Sequence, residues 1–170
     1  RAGGRWRLGR ASIARQLVVA FKPAIDDRYA VEFIESHVGA RFPAIPLNNA
    51  SEILDKVDEA QVVGIDEAQF FGEDLLAVVQ ELVNRDKRVI VAGLDLDSTG
   101  KPFGHMPELL ARAEMVTKSY AVCMVCGAPA SKSHRIVTDD TSTVLIGGSE
   151  TYEARCREHW HPEGGKSWQS

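Results

Sequence analysis

With 170 residues, the chain can form one well-packed domain with a small appended module, and its 44% apolar and 26% charged residues exclude an intrinsically disordered protein. No stretch approaches the ~20 apolar residues of a membrane span, and the start of the chain lacks the apolar core of a signal peptide, so we expect a cytoplasmic protein with no membrane partner. The net charge of -4 argues against nucleic acid as a partner, although arginines make the start of the chain locally basic.

Apolar runs rich in β-branched residues predict the strands of a parallel sheet. They occur at residues 17–21, 62–65 and 89–92 and, in a more mixed form, at residues 115–122. Such runs, without polar alternation, are typical of strands that helices cover on both faces. The fold class that follows is α/β up to about residue 121.

Helical periodicity fills the intervals between these strands. A helix is predicted over residues 73–86, because apolar residues fall there at i, i+3, i+4 and i+7: Leu75, Val78, Val79 and Leu82. A shorter helix is expected at residues 51–57, with Ser51 as its N-cap, and another at residues 107–113, with Pro107 in its first turn. The strand, helix and strand over residues 62–92 form a βαβ unit.

The pattern changes beyond residue 121 to Cys, Gly, Ser and Thr, with two short β-type runs. Strands are predicted at residues 135–138 and 143–146, joined by the turn-prone pair Asp139 and Asp140. We therefore divide the chain into an α/β domain over residues 1–121 and a small second module over residues 122–170.

Two adjacent carboxylates, Asp66 and Glu67, follow the apolar run at residues 62–65. Ligands of open α/β sheets bind at the carboxyl ends of such strands. Because successive residues point in opposite directions at a strand end, Asp66 can face a magnesium ion while Glu67 faces a substrate hydroxyl. A solvated turn or a helix N-terminus is the alternative for this pair.

Two further loops lead to the same edge of the sheet. Residues 93–104 follow the third strand, and residues 22–29 follow the first strand and include Asp26 and Arg28, which can meet phosphate groups. Each loop alone is typical of a surface turn. Together with Asp66 and Glu67, they indicate a binding crevice at the carboxyl ends of the strands.

The three cysteines all lie in the second module, as a C-x-x-C pair followed by a C-x-x-H pair. Two such pairs supply the four ligands of a closed, structural zinc site: Cys123, Cys126, Cys156 and His159. An odd cysteine count argues against a disulfide framework, and a redox motif or buried core cysteines are the alternatives. His134 and His161 compete for the fourth place but lack the two-residue spacing from Cys156.

Residues 145–152, between the two cysteine pairs, combine two glycines with an aromatic ring. The free N–H and C=O groups of a Gly-Gly backbone can read a flat base while Tyr152 packs against it. Taken alone, the same residues are typical of a glycine hairpin turn.

Several motifs, in order and with sensible spacing, closely resemble the type II thymidine kinases. They are FKPAIDDRY at residues 21–29, SH at 36–37, DEAQFF at 66–71, GLD at 93–95, KPFG at 101–104 and GGSETYEARC at 147–156. The resemblance implies a P-loop, RecA-like α/β domain with a zinc ribbon that carries a lasso loop over the nucleoside, and a homotetramer. It also implies transfer of the γ-phosphate of ATP to the 5'-hydroxyl of thymidine, with Mg²⁺ and a structural Zn²⁺.

The resemblance implies a role for each matching residue. Glu67 corresponds to the general base and Asp66 to the magnesium-associated carboxylate, while Asp26 and Arg28 belong to the loop near the phosphates. The residues that correspond to thymidine-binding positions are Phe70, Leu94, Phe103, Ser133, Leu145, Gly147 and Tyr152. The zinc ligands correspond to Cys123, Cys126, Cys156 and His159.

The chain departs from the family pattern at two places. No G-x-x-x-x-G-K-S/T phosphate-binding loop occurs anywhere in the 170 residues, and residues 10–16 resemble the end of the helix that normally follows that loop. We therefore expect an α/β domain that is incomplete at its start. Ser98 stands where an aromatic residue commonly faces the thymine ring, which predicts weaker base stacking.

The expected function is thymidine kinase activity in nucleoside salvage. Because phosphoryl transfer depends on positioning and charge stabilisation, loss of the phosphate loop predicts crippled catalysis. The alternative is an inactive nucleoside-binding or zinc-ribbon interaction protein. A third hypothesis, a nucleic-acid-binding zinc ribbon, fits the basic start of the chain but not its acidic whole.

Overall fold

The computed structural model describes residues 16–24, 33–35, 41–136 and 151–161. These residues form two compact units. The first unit contains the described residues up to Asp95 together with Gly104–Thr117. The second unit contains Leu96–Phe103 and the described residues from Lys118 onward.

A four-stranded parallel sheet forms the centre of the first unit. Its strands are β1 (Val18–Pro23), β4 (Ile45–Leu47), β5 (Val62–Ile65) and β6 (Arg88–Val91), in the order β4-β1-β5-β6. Every residue of β5 is buried, which explains its uninterrupted apolar sequence. The α/β fold class and the three parallel strands predicted near residues 17–21, 62–65 and 89–92 are confirmed.

Helix α1 (Asp74–Asn84) connects β5 to β6 and confirms the predicted βαβ unit. Its buried residues are Leu75, Val78 and Leu82, which are three of the four positions in the predicted apolar stripe. Helix α2 (Met106–Arg112) matches the helix predicted at residues 107–113 and has its proline in the first turn.

The predicted helix near residues 51–57 is a 3₁₀ helix, Ala50–Asp55, and its N-cap is Asn49. The prediction of Ser51 as N-cap was wrong. The Glu52 carboxylate accepts the backbone N–H of Asn49 at 3.0 Å, so the acidic residue three positions after the cap fixes the start of the helix. The N–H of Ser51, already inside the helix, donates to Oδ2 of Asp74 at 2.8 Å.

The strand predicted at residues 115–122 was also wrong. Within this segment only β7 (Ala121–Val122) is extended into a strand, and it pairs antiparallel with β8 (Pro129–Ala130), outside the parallel sheet. Met115 is 70% exposed and Val116 is 48% exposed. Residues 115–120 are exposed and form no strand, whereas a strand of a parallel sheet is paired and covered on both faces.

The second unit contains two antiparallel strand pairs, β7 with β8 and β9 (Lys132–Arg135) with β10 (Tyr152–Arg155). The strand predicted at residues 135–138 overlaps β9 only at Arg135, where β9 ends. Residues 137–138 and the strand predicted at residues 143–146 lie outside the described residues. In the first unit, β2 (Phe33–Glu35) pairs antiparallel with β3 (Arg41–Pro43).

Among the described helices, none combines the length and apolar character that crossing a membrane requires.

Candidate active site and metal centre

Asp66 and Glu67 follow the last residue of β5, at the carboxyl end of a central strand. The N–H of Asp66 donates to the carbonyl of Phe21 in β1 at 2.9 Å, and the N–H of Ala68 donates to the carbonyl of Ala92 after β6 at 3.0 Å. The backbone around the two acidic residues is therefore fixed by hydrogen bonds to both neighbouring strands. This is the edge of a parallel α/β sheet at which ligands bind.

Glu67 has an unusual backbone, with φ at 51° and ψ at 40°, in the left-handed region. Non-glycine residues seldom adopt it, because Cβ approaches the following carbonyl oxygen, and such strained residues cluster at functional sites. The Glu67 side chain is also buried, with 6% of its surface exposed. A buried carboxylate on a strained turn fits a base held ready for a substrate hydroxyl.

Gln69 is the main residue of this site to which sequence reasoning gave no role. Its Nε2 donates to Oε2 of Glu67 at 2.7 Å, and its Oε1 accepts the N–H of Leu94 at 3.0 Å. The sequence signal was a polar, uncharged residue between Ala68 and Phe70, where burial requires hydrogen-bond partners.

The structure brings several predicted residues of the first unit close together. Phe70 ends the 3₁₀ turn Ala68–Phe70 that follows Glu67, and its N–H donates to the Glu67 carbonyl at 3.1 Å. The backbone N–H of Leu94 donates to Oε1 of Gln69, which links Leu94 to this turn. Asp26 and Arg28, predicted beside the phosphates, lie outside the described residues.

The segment Leu96–Phe103 forms a closed loop within the second unit. Leu96 and Pro102 form an isolated antiparallel bridge. Oδ1 of Asp97 accepts three hydrogen bonds, from Thr99 N at 2.9 Å, Thr99 Oγ1 at 2.8 Å and Lys101 N at 3.0 Å. Two residues singled out from the sequence, Ser98 and Phe103, are half-buried in this loop.

Ser133 and Tyr152 lie on the paired strands β9 and β10, opposite Ala154 and Arg135 respectively. Both are half-buried. The Ser133 carbonyl accepts the indole N–H of Trp160 at 3.0 Å. Leu145 and Gly147, also predicted to bind thymidine, lie outside the described residues.

The four predicted zinc ligands converge in the second unit: Cys123, Cys126, Cys156 and His159 have ligand atoms that all lie within 4.8 Å of one another. Sγ of Cys126 is 3.8 Å from Sγ of Cys156, and Nδ1 of His159 is 3.2 Å from Sγ of Cys156 and 3.9 Å from Sγ of Cys123. Zinc bond lengths of about 2.3 Å to sulfur and 2.0–2.1 Å to nitrogen give tetrahedron edges of about 3.5–3.8 Å. The donor set and spacing therefore fit zinc.

Each ligand pair lies on a tight turn. The N–H of Gly127 donates to the Cys123 carbonyl at 2.9 Å, and Gly127 supplies the positive φ of 74° that this turn needs. The N–H groups of His159 and Trp160 donate to the Cys156 carbonyl at 3.2 and 3.0 Å. The C-x-x-C and C-x-x-H spacings thus position both pairs by local backbone bonds.

The thiol pKa values differ within the cluster. Burial raises the pKa of Cys123, but hydrogen bonds from the backbone of Cys156, Cys126 and Val125 outweigh burial and lower it to about 6. A backbone hydrogen bond from Ala128 lowers the pKa of Cys126, yet burial and the neighbouring Cys123 and Cys156 side chains together raise it. Cys123 therefore ionises before Cys126.

Comparison with known proteins gives the family of the chain. The family model described as thymidine kinase matches residues 6–160. The chain belongs to the thymidine kinase family. It is 51% identical over 166 residues to a thymidine kinase of Coprothermobacter proteolyticus, which covers 95% of this chain and 83% of that protein.

A thymidine kinase of Bdellovibrio bacteriovorus is 49% identical over 158 residues, which covers 92% of this chain and 77% of that protein. The resemblance inferred from the motifs is confirmed. Membership of the thymidine kinase family places the parallel sheet and the Cys/His cluster in the fold of that family.

Proposed function

We propose that this chain transfers the γ-phosphate of ATP to the 5'-hydroxyl of thymidine, in the salvage of deoxynucleosides. The observation that carries the proposal is the buried Glu67 carboxylate, on a strained turn at the carboxyl end of β5, in a chain of the thymidine kinase family. Relatives about half identical to the chain are named thymidine kinase.

In the proposed reaction, Glu67 accepts the proton of the 5'-hydroxyl as that oxygen attacks the γ-phosphorus, while the bond from the γ-phosphorus to the bridging oxygen breaks and ADP leaves. A base acts only within hydrogen-bond reach of the proton, so the fixed orientation of the Glu67 side chain matters as much as its charge. Its carboxylate accepts an N–H of the Gln69 amide through Oε2. Asp66 is the residue that would hold Mg²⁺, which neutralises phosphate charge when bound.

The residues proposed to bind the nucleoside are Phe70, Leu94, Phe103, Ser133, Leu145, Gly147 and Tyr152. Asp26 and Arg28 are proposed to lie near the phosphates. Ser98 offers no aromatic face, so stacking on the thymine ring is weaker than an aromatic residue would give.

The Cys/His cluster is proposed to hold a structural Zn²⁺. Four protein ligands leave no open position, so the ion orders the ribbon of residues 122–170 and takes no part in the transfer. We further propose a homotetramer in the cytoplasm, where reduced thiols remain available as ligands.

The experiment is transfer of labelled phosphate from Mg-ATP to thymidine by the full zinc-loaded chain. Glu67→Gln is the test variant, and Glu59→Gln is the control because it makes the same chemical change at an exposed carboxylate. We expect Glu67→Gln to lower the rate by roughly 10²- to 10⁴-fold, the usual contribution of a general base, and Glu59→Gln to leave it unchanged.

A wild-type rate in Glu67→Gln would remove Glu67 from the mechanism. No transfer by the unmodified chain would contradict the proposed activity. The sequence contains no G-x-x-x-x-G-K-S/T loop, so this measurement also decides whether its residues suffice to hold the phosphates.

A further inference from the structure

We infer that Gln69 is a positioning residue that fixes the Glu67 carboxylate for proton transfer. The inference rests on the proposed function in one respect, the assignment of Glu67 as the base. Gln69 itself makes no proposed contact with thymidine or ATP, so its effect on the reaction passes through Glu67.

The hydrogen bonds of Gln69 allow one orientation of its amide. Nε2 donates to Oε2 of Glu67 at 2.7 Å while Oε1 accepts the N–H of Leu94 at 3.0 Å. A flipped amide would set its oxygen against the carboxylate and its NH₂ against an N–H donor, and both contacts would be repulsive. The amide therefore joins the turn after β5 to the segment after β6 in a defined direction.

Two glycines leave the space that Gln69 occupies. A Cβ on Gly93 would come 2.5 Å from the side-chain Oε1 of Gln69. A Cβ on Gly104 would come 2.5 Å from the backbone carbonyl oxygen of Gln69. Gln69 is 3% exposed. Because the Gly93 backbone lies against its amide and the residue is buried, the Gln69 side chain has little freedom to reorient, which is the support that a fixed catalytic group requires.

The backbone of Glu67 shows why such support is needed. The left-handed conformation at φ 51° is unfavourable for glutamate, so the surrounding contacts must maintain it. The bond from Phe70 N to the Glu67 carbonyl at 3.1 Å closes the turn, and the Gln69 amide ties down the side chain within the same turn. Without the amide, the carboxylate loses one hydrogen bond that orients it, and a displacement of about 1 Å can cost on the order of 10²-fold in rate.

The first test is Gln69→Met, which keeps the side-chain length and removes both hydrogen bonds. We expect kcat to fall by roughly 10- to 100-fold while KM for thymidine stays within about twofold, because the interaction lost serves the transition state and not substrate binding. In the Glu67→Gln background, the same change should cause no further loss, since the base it positions is gone.

The second test is an exchange of the two side chains, and it needs no substrate. Gln69→Glu alone places a second carboxylate against Glu67 and should lower the midpoint of urea unfolding. The double variant Glu67→Gln with Gln69→Glu restores an amide-to-carboxylate hydrogen bond in the reverse direction, so the midpoint should return toward that of the wild-type chain.

The outcomes separate the inference from the function on which it rests. Full kcat in Gln69→Met, or equal losses from that change with and without Glu67, would overturn the positioning role. A wild-type rate in Glu67→Gln would instead overturn the assignment of the base. Should the chain transfer no phosphate, the exchange still decides, because a midpoint that does not recover in the double variant overturns the Glu67–Gln69 interaction.

Discussion

The backbone of Gly100 lies so close to the indole of Trp160 that a Cβ on the glycine would come 2.6 Å from Cη2 of the ring. Trp160 is buried, its indole N–H donates to Ser133 in β9, and Nζ of Lys132 lies 5.1 Å from the ring centroid. It also directly follows His159, one of the four metal ligands in the candidate centre. One aromatic side chain thus connects the metal centre, strand β9 and the loop Leu96–Phe103.

This contact predicts that Gly100→Ala destabilises the zinc-loaded protein more than Gly127→Ala. Both glycines have positive φ, 82° and 74°, so each alanine costs about 1–2 kcal/mol of backbone strain. Only the Cβ at position 100 meets another group, since nothing lies within 4 Å of a Cβ on Gly127. The displaced indole should add about 1–3 kcal/mol, measured as the free energy of urea unfolding.

The control for this prediction is Trp160→Leu combined with Gly100→Ala. Removing the ring should eliminate the extra loss caused by the alanine, relative to Trp160→Leu alone. Equal losses in Gly100→Ala and Gly127→Ala would show that the indole does not constrain the loop.

Gly93→Ala should lower the rate of thymidine phosphorylation by roughly tenfold, because its Cβ displaces the amide that holds Glu67. Gly72→Ala is the matched control, since neither glycine has positive φ and the nearest atom to a Cβ on Gly72 lies at an ordinary 3.5 Å. The measurement is kcat with saturating thymidine. Similar rates in the two variants would mean that the Gln69 amide accommodates the methyl group.

The metal-free protein should show one thiolate that forms near pH 6 and disappears in Cys123→Ser, as followed by thiolate ultraviolet absorbance. The pKa of Cys123 is lowered to about 6 from the 9.0 of a free thiol, so the folded chain holds a thiolate between these values where the unfolded chain holds a thiol. Stability of the metal-free fold should therefore rise from pH 6 to pH 9 and fall as the pH drops through about 6.

Zinc affinity should also fall as the pH drops towards 6 and below, because protons compete with the ion for the Cys123 thiolate. Competition with a chelator at several pH values measures this. A pH-independent affinity between pH 5 and 7, or the same absorbance step in Cys123→Ser, would contradict the assignment.

Leu82→Ala should destabilise the protein by about 2–5 kcal/mol, since Leu82 is fully buried on the inner face of α1 and its removal leaves a cavity. Val83→Ala, on the next residue, is the control. Val83 is 46% exposed, so its truncation should change the free energy of unfolding by no more than about 0.5 kcal/mol. Comparable losses at both positions would contradict the orientation of the helix.

The sequence correctly predicts those helices and strands whose apolar pattern lies within the element itself. Helix α1 and strand β5 follow from apolar spacing alone, because burial of one face or of both faces leaves a periodic pattern. The segment at residues 115–122 was predicted wrongly because its apolar residues resemble those of a strand, while strand formation depends on pairing partners that the spacing does not encode. Asn49 replaces Ser51 as N-cap for a similar reason, since the position of Glu52 selects between two capable residues.

The candidate site likewise contains residues that the sequence identifies and one residue that it does not. Asp66, Glu67 and the four Cys and His ligands are recognisable because their chemistry is unusual at those spacings. Gln69 acquires its role from the left-handed turn at Glu67 and from the N–H of Leu94, which is 25 residues further along the chain. Neither relationship leaves a mark in the local sequence, so the amide could be assigned only from the structure.

The left-handed backbone at Glu67 also limits how far a substitution there can stabilise the fold. Glycine adopts that conformation without the penalty of about 1–2 kcal/mol that a side chain incurs, so the residue best suited to the backbone is one that carries no proton acceptor. Glycine at position 67 would relieve that strain but would leave the buried Nε2 of Gln69 without its carboxylate acceptor, at a cost of about 1–3 kcal/mol, so the two effects offset each other. Any engineering of this chain for temperature tolerance has to hold that position constant.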